Sequence, residues 1–167
     1  KNKTIYLADS RHEWKYLHPL DLDLKIYKKV HLVFHPDAWS KKGYPKKDNY
    51  SLLKNYIIKH KLSKFVKLMN FIDNPYPLIK SADVFILSSN YEGLPNVLLE
   101  AQCLKKIIIS TKCPTGPNEI LLNGKAGIFF KMNDYKDLSK KIYYVFNNRK
   151  KLKKKISIGF KNLDRFD

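Results

Sequence analysis

The sequence predicts an α/β fold built on an open, doubly wound parallel sheet, and three observations carry that expectation. From about residue 65 onward, short β-branched runs alternate with helical segments, the signature of successive βαβ units. Two of the runs, VFIL at 84–87 and III at 107–109, have no polar break, as strands buried on both faces require. A chain of 167 residues with 44% hydrophobic content can bury one sizeable core and is short for two, which favours a single domain over residues 1–167.

Each element has its own local warrant. Strands are expected near 4–8 and 30–34, followed by a helix at 51–60 with Leu52, Leu53, Tyr56 and Ile57 inward. Between them, 35–48 has no period and carries Pro36, Gly43 and Pro45, which makes it a loop of about a dozen residues, long enough for function or mobility. A strand at 65–69 leads to a short helix at 75–81, and the buried run at 84–87 leads to a helix at 95–104 with Val97, Leu98, Ala101 and Leu104 on one stripe. After 107–109 comes a helix at 117–122 stopped by Gly124, then a strand near 127–130. A helix at 134–146 and a basic helical tail over 149–167 complete the chain. The architecture is Rossmann-like, and in such a sheet ligands bind beyond the carboxyl ends of the strands at the switch point, so 88–94 and 110–116 are the loops that matter.

Charge and cysteine content narrow the function classes. The formal net charge of +18 attracts polyanions over about a Debye length, so nucleic acid, anionic lipid and phosphate-bearing substrates all fit. Lysines are scattered through every segment, so compositional bias explains part of the excess equally well. The densest cluster, 149–155, is the candidate for a surface patch on an anionic membrane, with a solvated helix as its alternative. No apolar run reaches the ~18 residues of a membrane span and the start lacks the core of a signal peptide, which reads as cytoplasmic. Cys103 and Cys113 are the only cysteines. Neither has metal-ligand spacing, and Cys103, within an apolar helical pattern, is expected to behave as a small hydrophobe.

Chemistry concentrates in the loop SSNYEGL at 88–94, which runs from a buried strand into a helix opened by Pro95. Pro95 leaves the N–H groups of Asn96 and Val97 pointing at the ligand crevice, where a diphosphate finds hydrogen-bond donors and the positive end of a helix dipole. Gly93 allows close backbone approach. Glu92 precedes this turn and Glu100 lies about one and a half turns inside the helix, so both can face the crevice as acceptors for sugar hydroxyls. On spacing alone they are equally a loop carboxylate and a helix-surface carboxylate. Asp21 and Asp23 sit away from a strand-end loop, and His31 and His35 lie too far apart along a strand to share a metal, so no metal site is expected.

The strings NPYPLIKSAD (74–83), VFILSSNYEGLPNVLLEA (84–101) and CPTGPNEIL (113–121) together resemble the donor-site half of glycosyltransferase family 4, the glycosyl transferases group 1. Glu92 and Glu100 match that family's E-x7-E pair, and the likeness runs from about residue 70 to the end. It implies the C-terminal, nucleotide-sugar-binding half of a GT-B fold. Glu100 would accept from the ribose hydroxyls and Glu92 would face the donor sugar. Gly93, Leu94, Pro95, Asn96 and Val97 would cradle sugar and diphosphate. Thr115 and Gly116 would help line the pocket, Glu119 would cap its helix, and Phe71 and Ile72, in the stretch 70–73, would lie along the base with Tyr76 and Lys80 nearby. The family's Arg and Lys after the first strand correspond to Arg11 and Lys15, which would neutralise the leaving diphosphate.

Two departures accompany the match. The first strand runs Ala8-Asp9-Ser10-Arg11 where the family has a glycine before its Arg, with the Arg-to-Lys spacing one residue short. The Gly-rich turn after the second strand is replaced by HPDAW at 35–39. The resemblance implies a retaining transfer of hexose or N-acetylhexosamine from a nucleotide-sugar, UDP-sugar above all, to a glycan or lipid-linked acceptor, without bound metal or cofactor. The acceptor half would be a separate N-terminal domain, leaving this chain able to bind donor and unable to transfer alone. Two other readings remain: a basic nucleic-acid-binding module, which the paired carboxylates disfavour by repelling phosphates, and a catalytically inactive sugar-nucleotide-binding domain.

Overall fold

The computed structural model describes residues 4–9, 29–34, 47–69 and 72–166. Six strands form one sheet: β1 (Thr4–Asp9), β2 (Lys29–Phe34), β3 (Val66–Met69), β4 (Val84–Leu87), β5 (Ile107–Thr111) and β6 (Ile128–Phe130). All five pairings are parallel and the order is β3-β2-β1-β4-β5-β6. The chain builds outward from β1 to one edge, then returns to place β4 against the other side of β1, with Ile5 opposite Val84 and Leu7 opposite Ile86. That reversal makes the β1/β4 boundary the switch point, where the crossovers before and after leave a crevice at the carboxyl ends.

The apolar runs dictate two cores. Along β4 and β5 alternate side chains point to opposite faces. Val84, Ile86, Ile107 and Ile109 join one cluster with Ile57 of α1 (Lys47–Lys59), Leu138, Ile142 and Val145 of α5 (Tyr135–Asn147) and Leu152 of α6 (Arg149–Lys161). Phe85, Leu87 and Ile108 join the other, with Ile79 of α2 (Tyr76–Ser81), Leu98 and Ala101 of α3 (Asn96–Cys103) and Ile120 of α4 (Pro117–Ile120). All four side chains of β4 are buried, and each such burial contributes about 1.5–3 kcal/mol. The sheet is therefore covered on both faces, which is why these strands read as unbroken apolar runs.

Several boundaries differ from the sequence expectation. Helix α1 starts at Lys47, so the end of the expected loop 35–48 already belongs to it, and residues 35–46 lie outside the described residues. Helix α4 stops after four residues and a 3-10 turn, Leu122–Gly124, follows, because Leu122 and Asn123 take positive φ (50° and 52°) ahead of Gly124 at 91°. Cys103 is exposed and it is Cys113 that is buried. On α3 the inward positions are Leu98, Ala101 and Gln102, and Cys103, one residue on, is turned about 100° away from Gln102. The side chain of Asp134 caps α5 by accepting from Asp137 N at 2.8 Å.

The basic end of the chain is docked. Helix α6 follows α5 after Asn148 alone and inserts Leu152 into the core. Gly159 packs on α3, where an added Cβ would stand 2.9 Å from Gln102 Nε2. Gln102 Nε2 and Asn162 Nδ2 both donate to Ile120 O, at 3.1 and 3.2 Å, tying this last helix to α4. The first half of α6 lies at the amino ends of the strands. Arg149 pairs at 2.7 Å with Asp83, which directly precedes β4, and Lys155 donates to Gly124 O ahead of β6. Among the described residues no helix is long and apolar enough to cross a membrane.

Candidate functional site

At the carboxyl edge, β4 leads into residues 88–95 and β5 into residues 112–116, beside the end of β1 at Asp9. The two loops are pinned together by side chains of the second. Thr111 Oγ1 donates to Ser89 O, and Thr115 Oγ1 donates to Glu92 O. Gly116, at φ +74°, lies so close to the first loop that a Cβ there would stand 2.1 Å from Gly93 O and 2.6 Å from Pro95 Cδ. Only glycine tolerates both that φ and that approach. Gly93 is its opposite, because a Cβ at Gly93 meets nothing within 4 Å. The Glu92-Gly93 turn is thus braced from below and open above.

Cys113 lies under this turn, with Sγ donating to Thr115 O at 3.6 Å and Asn118 Nδ2 donating to Cys113 O at 3.5 Å. Burial pushes the Cys113 thiol up from its ordinary value, the nearby Glu92 carboxylate adds to the rise, and the Thr111 hydroxyl opposes it. Two acceptors on the first loop, Ser88 Oγ and Asn90 Oδ1, are buried without a partner among the described residues, as is Asn118 Oδ1. A buried acceptor left unmatched costs about 1–3 kcal/mol, so these atoms mark where the edge is internally incomplete. Sequence reasoning passed over Ser88 and Asn90, although a Ser-Ser-Asn run at a buried strand end is the signal that could have found them.

Helix α3 starts here. Pro95 is its N-cap, buried and extended (φ −75°, ψ 91°), and among the described residues no side chain caps the first turn. Leu98 N bonds back to Pro95 O at 2.8 Å, leaving Asn96 N–H and Val97 N–H at the open end of the helix dipole. Leu94 and Asn96 are exposed and Val97 is half-buried. Glu100, half-buried on α3, accepts a long 3.5 Å hydrogen bond from the hydroxyl of Tyr76 at the start of α2. Tyr76 N in turn donates to Asn74 Oδ1 at 3.2 Å, while Ile72 packs against the second core cluster.

The structure thus brings Glu92, Gly93, Leu94, Pro95, Asn96 and Val97 into one strand-to-helix connection, with Thr115 and Gly116 beneath it and Glu100, Tyr76 and Ile72 on elements packed beside it. Arg11, Lys15 and Phe71 lie outside the described residues, as do Trp39, His35, Asp21 and Asp23. Glu119 lies in the first turn of α4, and its carboxylate meets Arg165 at 3.6 Å. Lys80 offers its carbonyl, not its side chain, to Lys106 Nζ at 2.6 Å. Among the described residues no group of three or more His, Cys, Asp or Glu is arranged to hold a metal ion.

Comparison with known proteins bears on the family and the fold. An uncharacterized glycosyltransferase of Methanocaldococcus jannaschii is 44% identical over 69 residues, covering 41% of this chain and 17% of that protein. The N,N'-diacetylbacillosaminyl-diphospho-undecaprenol alpha-1,3-N-acetylgalactosaminyltransferase of Campylobacter jejuni is 38% identical over 65 residues, covering 39% of this chain and 17% of that protein. Among solved structures, the Anabaena protein HepE in complex with UDP-glucose superimposes with a TM-score of 0.79 at 18% identity, covering 99% of this chain and 44% of HepE. The chain thus spans less than half the length of that structural relative, and its matched stretches span about a sixth of each curated one. The family model of the glycosyl transferases group 1 matches residues 24–161, most of the chain, and the chain belongs to that family.

Proposed function

We propose that this domain is the C-terminal, donor-binding half of a GT-B retaining glycosyltransferase of family 4. It holds a UDP-hexose or UDP-N-acetylhexosamine for transfer to a glycan or lipid-linked acceptor. The observation that carries this reading is the Glu92-Gly93 turn, braced by Thr115 and Gly116 and set at the switch point immediately before the uncapped start of α3. A diphosphate fits the open N–H groups of Asn96 and Val97. Glu100 accepts from the vicinal ribose hydroxyls, with Tyr76 as its present partner. Glu92 faces the donor sugar. The acceptor hydroxyl attacks the anomeric carbon as the nucleoside diphosphate leaves with its electron pair and takes the hydroxyl proton on its phosphate oxygen, and Arg11 and Lys15 stabilise the departing charge. The acceptor is held by a further domain outside these residues, so the chain by itself binds donor without transferring it. UDP-glucose in HepE and the N-acetylgalactosaminyl transfer named for the Campylobacter relative support the choice of donor class. The reaction belongs to the cytoplasm, where soluble nucleotide-sugars are supplied.

Titration calorimetry of the purified chain tests the assignment. Charge-assisted hydrogen bonds are worth about 1.5–3 kcal/mol each, so Glu100→Ala should weaken UDP binding at least about tenfold. Glu92→Ala should weaken UDP-sugar and leave UDP nearly unchanged. Unaltered UDP affinity in folded Glu100→Ala, or equal losses of both ligands in Glu92→Ala, refutes the respective role.

A further inference from the structure

Helices α5 and α6 carry half of the chain's excess charge. Residues 135–161 contain ten Lys and Arg against a single acid, Asp137, a net of +9 out of the chain's +18, in about a sixth of its length. A general lysine bias does not produce that asymmetry.

Side-chain pairing sorts these cations into two groups. Arg149 is engaged by Asp83, Lys155 by Gly124 O, and Lys141 by Asp137 at 3.8 Å. Lys150, Lys151, Lys153, Lys154 and Lys161 are exposed, and no side-chain partner is found for them among the described residues. The inward side of α6 is Leu152, Ile156 and Gly159, so positions 150, 153, 154, 157 and 161 follow the helical repeat along its outer side. Large apolar groups accompany the charge: Tyr143 and Tyr144 on α5 are 57% and 46% exposed, and Phe160 on α6 is 42% exposed beneath Lys105 Nζ at 4.4 Å.

We propose that this α5/α6 face docks the protein on an anionic lipid bilayer. The surface is a convex helix with unpaired lysines and neighbouring tyrosines, the composition of a helix that lies on a headgroup layer. Nucleic acid is the less suitable polyanion, because its recognition draws on the bidentate arginine fork. Both described arginines are already engaged by carboxylates, Arg149 by Asp83 and Arg165 by Glu119. The position of the face also matters. The start of α6 lies at the amino ends of β4 and β6, the edge opposite the Glu92-Gly93 turn. A protein held this way turns the crevice toward water, from which a soluble nucleotide-sugar arrives; this orientation rests on the donor-site reading, whereas the docking does not.

Sedimentation with vesicles of phosphatidylcholine, with and without phosphatidylglycerol, tests the docking. Each lysine at an anionic surface raises partitioning roughly fivefold, so Lys150→Gln, Lys153→Gln and Lys154→Gln combined should lower it about 100-fold. The same change at Lys54, Lys59 and Lys64, exposed on and after α1, removes equal charge and should have little effect. UDP binding by calorimetry should survive in the α6 variant, which keeps a failure of the donor site separate from a failure of docking. The proposal falls if the parent does not sediment with anionic vesicles, if the α6 variant sediments as the parent does, if both triple variants lose equally, or if single-stranded RNA displaces the protein from vesicles at equal phosphate.

Discussion

The two ends of one parallel sheet are finished in opposite ways. At the amino edge, side chains close off the backbone: Lys106 Nζ donates to Lys80 O and to Ala82 O at 3.0 Å, Lys155 caps Gly124 O, and Arg149 neutralises Asp83. At the carboxyl edge, by contrast, Ser88 Oγ and Asn90 Oδ1 are buried with no partner among the described residues. The same strands feed both edges, so the difference is not one of fold. An edge that only has to be stable satisfies its polar groups internally, whereas an edge that has to meet a ligand leaves some of them for it.

Substituting across this contrast sharpens it. The largest effect is expected at Gly116→Ala, which places a methyl group against Gly93 O in a φ that alanine resists. Backbone strain and overpacking of about 1–3 kcal/mol each predict a loss of about 2–6 kcal/mol, measured by urea unfolding, with nucleotide-sugar binding lost alongside. Next comes Lys106→Met at the closed edge, which should cost about 1–2 kcal/mol by stripping two carbonyls of their partner while leaving UDP affinity unchanged. Burial holds the Lys106 ammonium below its ordinary value, Asp83 partly offsets this, and Arg149 and Lys80 add to the lowering. The folded chain therefore releases this proton before the unfolded chain does. Stability from this group then rises with pH toward the ordinary lysine range, and the gap between parent and Lys106→Met should widen there. The smallest effect on stability, within about 0.5 kcal/mol, is expected for Gly93→Ala, where the space is open. That variant should still weaken UDP-sugar binding, because its methyl group occupies the side from which the ligand approaches. Normal binding by folded Gly93→Ala would show that the ligand does not lie over this turn.

The sequence made one kind of information plain and hid another. Runs such as VFIL and III announce strands covered on both faces, and the stripe on α3 announces its buried side, because both depend on neighbours a few residues apart. That the sheet is parallel and doubly wound followed from the alternation of elements, whereas the strand order came only from the structure. The Glu92 and Glu100 pair was legible as a motif, and the structure sets both residues beside the crevice, although their contacts with a ligand await the calorimetry above. Hidden were the contacts that join residues far apart in the chain. Nothing local in Thr115 points to Glu92 O, nothing in Lys106 to the end of α2, and nothing in Gly116 to Gly93. The lysines of α6 masked its inward Leu152 and Gly159, so a docked helix read as a tail. Gln102 was overlooked on the inward side of α3 because a polar letter beside the apolar stripe reads as solvent-facing.

The β1/β4 boundary has a consequence for assembly of the chain. Ile5 and Val84 stand 79 residues apart in sequence, whereas Val84 and Ile107 stand 23 apart and Ile5 and Val30 stand 25 apart. Closing the longer loop costs about 1 kcal/mol more chain entropy than closing either short one. Each half of the sheet can therefore knit locally while the central seam waits for the most distant pairing. The crevice sits on that seam, so a molecule bridging it fastens together the two neighbouring strands whose pairing closes the longest loop.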